Sequence, residues 1–250
     1  MTNKIRINRY LAGAGLGSRR KCEKFILNGS VKVNGNPVNR LSLKVEPEKD
    51  IVVFDGKEIK YKQEKTLLVL NKPAGVLSSA SDNRGRKTVI DIAREEGYSE
   101  RLYPVGRLDI DTTGVILLTD DGDLAYRLTH PKHEIPKIYQ VRVKGKIGRN
   151  DLRNVSGGID IGGYITAPCK VETKRISSKF SDIEVTIREG KNRQIKRMFD
   201  AIGHKVISLN RKSIGGLEFD NLKIGEIRTL SESEENLLRE KTGVTIKENK

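Results

Sequence analysis

The residues best suited to chemistry in this chain lie in Gly106-Arg107-Leu108-Asp109-Ile110-Asp111-Thr112-Thr113-Gly114. Asp109 stands just before a tight turn and the apolar run Val115-Ile116-Leu117-Leu118, with the cation Arg107 two residues upstream. An ionised carboxylate in that position is available as a nucleophile or a proton acceptor. Two other readings compete. An Asp ahead of a turn often caps its own backbone. Asp109, Asp111, Thr113 and Gly114 also fit positions 1, 3, 5 and 6 of a calcium loop, with Asp120 at position 12. Such a loop needs a bidentate Glu at its last position and helical flanks, and the sequence offers neither. No other metal site is expected. His130, His133 and His204 lack the neighbouring ligands of a zinc pattern.

The elements that must position Asp109 can be read from periodicity. Ile7, Tyr10, Leu11 and Ala14 follow helical spacing, and Gly13, Gly15 and Gly17 end that helix. Ser18 is a good N-cap for a second helix through residue 28, with Cys22, Phe25 and Ile26 inward. Strands are expected at 31–33, followed by the hairpin signal Asn34-Gly35, and at 50–54, closed by Asp55-Gly56. The charged stretch 56–65 reads as a linker. The expected domains are residues 1–58, a linker over 59–65, a second domain over 66–241 and a flexible basic tail over 242–250. In the second domain, strands are expected at 67–70, 115–118, 137–144, 182–187 and 205–209, and a turn at 71–75. Helices are expected at 89–96, 122–129, 192–202 and 232–240, with a helical turn at 151–155. This is not a regular βαβ alternation. It predicts an α+β fold, a small αα-β domain followed by a mostly antiparallel mixed sheet.

Charge narrows the partner. The 250 residues carry 48 Lys+Arg against 33 Asp+Glu, a net charge of +15, and 36% are hydrophobic. A core can form, and the excess charge points to a polyanion, nucleic acid before membrane. No run approaches the roughly 20 apolar residues of a membrane span. Cys22 and Cys169, in unrelated contexts, read as reduced thiols of a cytoplasmic protein. Seven basic residues and one acid fall between Lys4 and Lys24. Arg6 and Arg9 are expected on one helix face. Arg19, Arg20 and Lys21 fall in the first turn of the second helix, where cations oppose the dipole and a polyanion offsets the cost. The plainer alternative is a solvated basic face. A second basic region, residues 188–212, holds eight cations and two acids.

The strings Arg6-Ile7-Asn8-Arg9-Tyr10-Leu11, Gly17-Ser18-Arg19-Arg20 and Gly29-Ser30-Val31-Lys32-Val33-Asn34-Gly35 resemble the α-L RNA-binding motif. That resemblance implies binding of structured RNA through phosphates and shape, with Arg6, Arg9, Arg19, Arg20, Lys21, Lys24 and Lys32 as contacts. Gly106-Arg107-Leu108-Asp109 in turn resembles the signature of the RsuA/RluB family of ribosomal RNA pseudouridine synthases. So do, in family order, Asn71-Lys72-Pro73-Ala74-Gly75, Pro104-Val105, residues 118–125, His130-Pro131, Lys137-Ile138-Tyr139 and residues 189–199.

The family resemblance implies that a uridine in ribosomal RNA is isomerised to pseudouridine, the uracil being detached from its ribose and rejoined through carbon. No cofactor and no metal take part. Asp109 is then the essential carboxylate, Lys196 the basic residue paired with it, and Tyr139 the tyrosine that stacks on the target base and can assist proton transfer. Ile195 would close the other side of the base pocket. Arg107 would fill the space that the uridine vacates or hold a flanking phosphate, and Arg193 joins it in binding substrate. By themselves, Lys196 reads equally as a surface lysine beside the apolar Ile195, Met198, Phe199 and Ile202, and Tyr139 as an ordinary strand aromatic. Residues 191–198 resemble the branches acting on the large subunit, which is favoured. Asp111-Thr112-Thr113-Gly114 and Ile214-Gly215-Gly216 resemble the small-subunit branch. The expected partner is ribosomal RNA or a pre-ribosomal particle, met by a monomer. The alternative from another class is a non-catalytic ribosome-assembly factor, with a DNA-binding regulator weaker still.

Overall fold

Turn residues set the layout of the amino-terminal part of the chain. The structure is a computed structural model that describes residues 4–62 and 64–244. It divides into two units, Met1–Lys65 and Thr66–Lys250. The first unit begins with β1 (Ile5–Arg6), α1 (Ile7–Gly13) and α2 (Arg19–Leu27). Arg6 is not on the helix face expected of it: it pairs with Lys44 in extended conformation and forms the N-cap of α1. Ser18 Oγ accepts the Lys21 N–H at 3.1 Å and starts α2. Then follow β2 (Val31–Val33), β3 (Asn36–Pro37), β4 (Lys44–Val45), β5 (Val52–Phe54) and β6 (Lys57–Ile59). Asn34-Gly35 turns β2 into β3, both residues at positive φ. Asp55-Gly56 does the same for β5 and β6. The stretch expected as a linker therefore opens as a strand, because Asp-Gly is a hairpin turn and not a strand terminus alone. Ile7, Leu11, Cys22, Ile26, Val31 and Val52 form this unit's core.

The second unit contains β7 (Leu67–Lys72), α3 (Val89–Glu95), β8 (Tyr103–Pro104), β9 (Thr113–Thr119), α4 (Gly122–Thr129), β10 (Lys137–Lys144) and α5 (Arg149–Gly157). After these come β11 (Lys170–Ile176), β12 (Phe180–Ile187), α6 (Gln194–Ala201), β13 (Val206–Ile214), β14 (Leu217–Glu218), β15 (Ile227–Thr229) and α7 (Glu232–Thr242). Nine strands form one sheet in the order β11-β12-β10-β13-β9-β7-β15, with β14 on β13 and β8 on β9. Among the described strand pairs only β9 with β13 is parallel. The expected α+β class with a mostly antiparallel mixed sheet is what the chain forms.

The apolar runs of β7 and β9 lie mid-sheet and are buried on both faces. Leu68, Leu70, Ile116 and Leu118 face a core shared with α3, α5 and α6. Leu67, Val69, Val115 and Leu117 face a second core shared with α4 and α7. A strand covered on both sides reads as a continuous apolar run, which is why it was visible in the sequence. Elsewhere the sequence misled. β13 runs five residues beyond 209, through polar Asn210, Arg211, Lys212 and Ser213, because it lies between β10 and β9. Arg211 is 2% exposed, its Nε donating to Val115 O at 2.6 Å. β11, an edge strand with mostly exposed side chains, gave no pattern to read. α7 continues to Thr242, a buried residue, so the expected tail starts later. Residues 245–250 of that tail lie outside the described residues.

Candidate active site

The Asp109 turn is held from beneath by the segment that follows β7. Ser78 Oγ donates to Leu108 O at 3.0 Å and accepts Leu108 N–H at 3.1 Å. Gly75 N–H donates to Ile110 O at 2.7 Å. Lys72 ends β7 fully buried, its Nζ 2.8 Å from Pro73 O and 3.3 Å from Ile110 O. Burial pushes its ammonium down to about 8, against the pull of Asp111 and Asp109. Thr112 N–H closes the turn onto Asp109 O at 3.1 Å. Lys72 and Ser78 were not singled out from sequence. A lysine ending the run Leu67-Leu68-Val69-Leu70-Asn71, directly before Pro73, was the available signal for the first.

Beyond the turn the chain enters β9, and Gly114 fixes how closely β13 approaches. A Cβ on Gly114, at φ +106°, would collide with the backbone N and O of Arg211. Because residues 113–119 are strand, the calcium-loop positions never close on one another. Asp120 instead accepts Thr66 N–H at 2.8 Å.

α6 brings the partner cation. Ile195, Met198 and Phe199 pack inward, and this seats Lys196 at 7% exposure although its ammonium is a charge. Lys196 Nζ lies 3.3 Å from Asp109 Oδ2 and 2.5 Å from Asp111 Oδ1. Lys196 is thus no surface lysine. Two carboxylates share it, and the nearer is Asp111, for which the sequence suggested no catalytic part. The lysine holds Asp111 below the usual carboxylate range. Asp111 is 62% exposed, while Asp109 is 28% exposed and lines a pocket.

That pocket is walled by Leu108, Thr112, Tyr139, Ile187, Ile195 and Leu209, with Arg107, Lys191 and Arg193 on its lining. Tyr139 comes from β10 and is 7% exposed. Arg107 and Arg193 are exposed. Arg193 occupies the left-handed region at φ +49°, so α6 starts at Gln194, two residues later than the expected 192. The residues flanking it are tied together: Glu189 accepts from Gln194 Nε2 at 2.6 Å, from Tyr164 Oη at 2.6 Å and from Ala167 N–H at 3.0 Å. Gln194 Oε1 accepts Lys191 N–H at 2.9 Å. The structure therefore brings Arg107, Asp109, Tyr139, Arg193, Ile195 and Lys196 to one place.

In the first unit, Arg6, Arg19, Arg20, Lys21, Lys24 and Lys32 are exposed and Arg9 is half-buried. Among the described residues no group of three or more His, Cys, Asp or Glu could hold a metal, and no helix is long and apolar enough to cross a membrane.

A carboxylate and a lysine beside an apolar-walled pocket, preceded in the chain by a small basic domain, define an enzyme that acts on RNA. Residues 66–201 match the RNA pseudouridylate synthase family, and residues 5–52 match the S4 domain. The chain is 43% identical to ribosomal large subunit pseudouridine synthase B of Bacillus subtilis (strain 168), over 94% of this chain and 95% of that one. It is 41% identical to an uncharacterized RNA pseudouridine synthase of Aquifex aeolicus (strain VF5), over 92% of each. A crystal structure of a pseudouridylate synthase, 33% identical, superposes with a TM-score of 0.66 and covers 94% of this chain and 99% of that one. The chain belongs to the RNA pseudouridylate synthase family.

Proposed function

We propose that this protein converts one uridine of ribosomal RNA to pseudouridine, with the large subunit as target and Asp109 as the carboxylate on which the reaction depends. One observation carries the reading: Lys196 Nζ sits 3.3 Å from Asp109 Oδ2 beside a pocket that Tyr139 also lines. Asp109 is preferred to Asp111 because it lines the pocket and is the less exposed of the two. Lys196 supplies the cation that pairs with this carboxylate, and a carboxylate is the group that attack or proton abstraction needs. The bond between ribose C1′ and uracil N1 breaks, a bond from C1′ to C5 forms, the C5 proton leaves and N1 regains one. The uridine must leave its stack to enter the pocket. Tyr139 and Ile195 supply walls for the base, and Arg107 and Arg193 supply charge for the flanking phosphates. The exposed cations of the first unit capture the RNA, and a monomer in the cytoplasm suffices for the reaction.

The name of the Bacillus subtilis relative supports the large subunit. The segments at 111–114 and 214–216 favour the small subunit as the second reading. The test uses unmodified transcripts of both ribosomal RNAs and pseudouridine mapping in cells with and without the protein. One site should appear in large-subunit RNA; a site in small-subunit RNA replaces the target, and no site in either leaves a non-catalytic assembly factor. Asp109→Asn should lower turnover on the order of 10³-fold or more while RNA affinity holds. Retained turnover would remove Asp109 from the mechanism.

A further inference from the structure

Beside the pocket, the end of α4 and the short 3-10 turn Pro131–His133 gather three rings that the reaction does not use. Tyr126 and His130 lie 4.8 Å apart between ring centroids, and His133 meets them edge-on at 5.7 Å and 6.2 Å. Lys132 Nζ sits 5.2 Å from the centre of the Tyr126 ring. Tyr126 is 46% exposed, and no other described tyrosine or phenylalanine is exposed. His130 is exposed as well, its Nδ1 accepting Lys132 N–H at 3.3 Å. His133 Nε2 is buried and has no hydrogen-bond partner. Residues 126–137 contain three Lys or Arg and a single carboxylate, Glu134.

Two contacts fix this cluster beside the catalytic turn. Thr129 Cγ2 lies 3.5 Å from where a Cβ of Gly106 would stand, one residue before Arg107 in the pocket lining. Arg188 Nη1 donates to Glu134 O at 3.0 Å, which ties the segment to the chain just after Ile187, another pocket residue. When a uridine leaves its stack, its neighbour loses a stacking partner. An exposed aromatic face flanked by cations replaces that partner for any base, since every base has a π-face and a phosphate beside it. We propose that Tyr126 and His130 form a stacking platform for an unpaired nucleotide next to the target uridine, with Lys132 on its phosphate. This rests on the reading of the pocket as a uridine site in RNA.

The experiment measures binding of a fluorescently labelled single-stranded uridine dodecamer to the full chain by anisotropy, from 50 to 300 mM KCl (on the order of the range over which phosphate contacts report). Loss of one stacked base weakens affinity by about tenfold. Tyr126→Ala with His130→Ala should show that loss with an unchanged slope of log K against log salt, because no charge is removed. Tyr126→Phe should restore near wild-type affinity. Lys132→Ala should flatten the slope by about one. The platform is overturned if the double variant binds within about twofold of wild type, if the dodecamer is not bound, or if the phenylalanine variant fails to rescue. A loss that comes with a flattened slope also overturns it, since a phosphate or protein contact is then the better account. Turnover of wild type on ribosomal RNA transcripts separates the two claims. Turnover with an inert platform defeats this inference alone, and no turnover defeats the pocket reading.

Discussion

Asp109 and Asp111 are two residues apart, share one lysine, and differ in what else they touch. Asp111 makes the shorter contact to Lys196, yet its carboxylate is mostly in water, where an ion pair is worth about 1 kcal/mol or less. Asp111→Asn should therefore lower turnover by no more than about fivefold, the rate equivalent of about 1 kcal/mol. Single-turnover kinetics on the mapped ribosomal RNA would check this against the Asp109→Asn value. A loss as deep as that of Asp109→Asn would mean the pair acts as one unit. The motifs around Gly106–Asp109 pointed to Asp109, Arg107, Tyr139, Ile195 and Lys196, and the fold brings these five together. That Asp111 competes for the lysine was not legible there, because a side chain's partner depends on a helix 85 residues further along the chain.

At the scale of elements, the site depends on the one parallel junction among the described strands. β9 and β13 approach closely at Gly114 and Arg211, and the fully buried Arg211 spans to Val115 O. Gly114→Ala meets both a backbone collision and a positive φ. Overpacking and strain together should remove about 2 to 5 kcal/mol of unfolding free energy. Urea denaturation would measure it, and a variant as stable as wild type would show that the strands can separate freely. β7, β9 and α6 were readable because they bury continuous or amphipathic apolar faces. β11 and the far half of β13 were not: one is an exposed edge, and the other buries polar residues whose place is decided by neighbouring strands.

At the scale of the molecule, charge governs capture and pH response. Arg19, Arg20 and Lys21 lie exposed on the first turn of α2. Changing all three to Gln should weaken binding of the ribosomal RNA target and flatten the salt dependence by about 2 to 3 in log–log slope. An unchanged slope would mean that this face does not meet phosphate. Two lysines, Lys72 buried and Lys137 half-buried, shape the alkaline behaviour. Lys72 and Lys137 are both lowered from 10.5 to about 8, chiefly by burial. The unfolded chain thus holds more protons between about pH 8 and 10.5, so stability is penalised below that window and rises through it. The thermal midpoint of wild type should climb from pH 8 to 9.5, and Lys137→Met should remove part of that climb, worth at most about 2 kcal/mol. A midpoint that falls equally in both proteins would contradict the assignment.

The sequence by itself determined the α+β class, the basic first unit, the two-sided strands and the family to which the chain belongs. Each follows from local pattern: periodicity, turn chemistry, charge density and motif order are properties of neighbouring residues. The tertiary structure alone decided that Asp111 shares Lys196 with Asp109, that Lys72 and Ser78 brace the Asp109 turn, and that Tyr126 and His130 stand beside it. Those are distances between segments far apart in the chain, and they are set by how β7, β9, β13 and α6 pack, which no local pattern encodes.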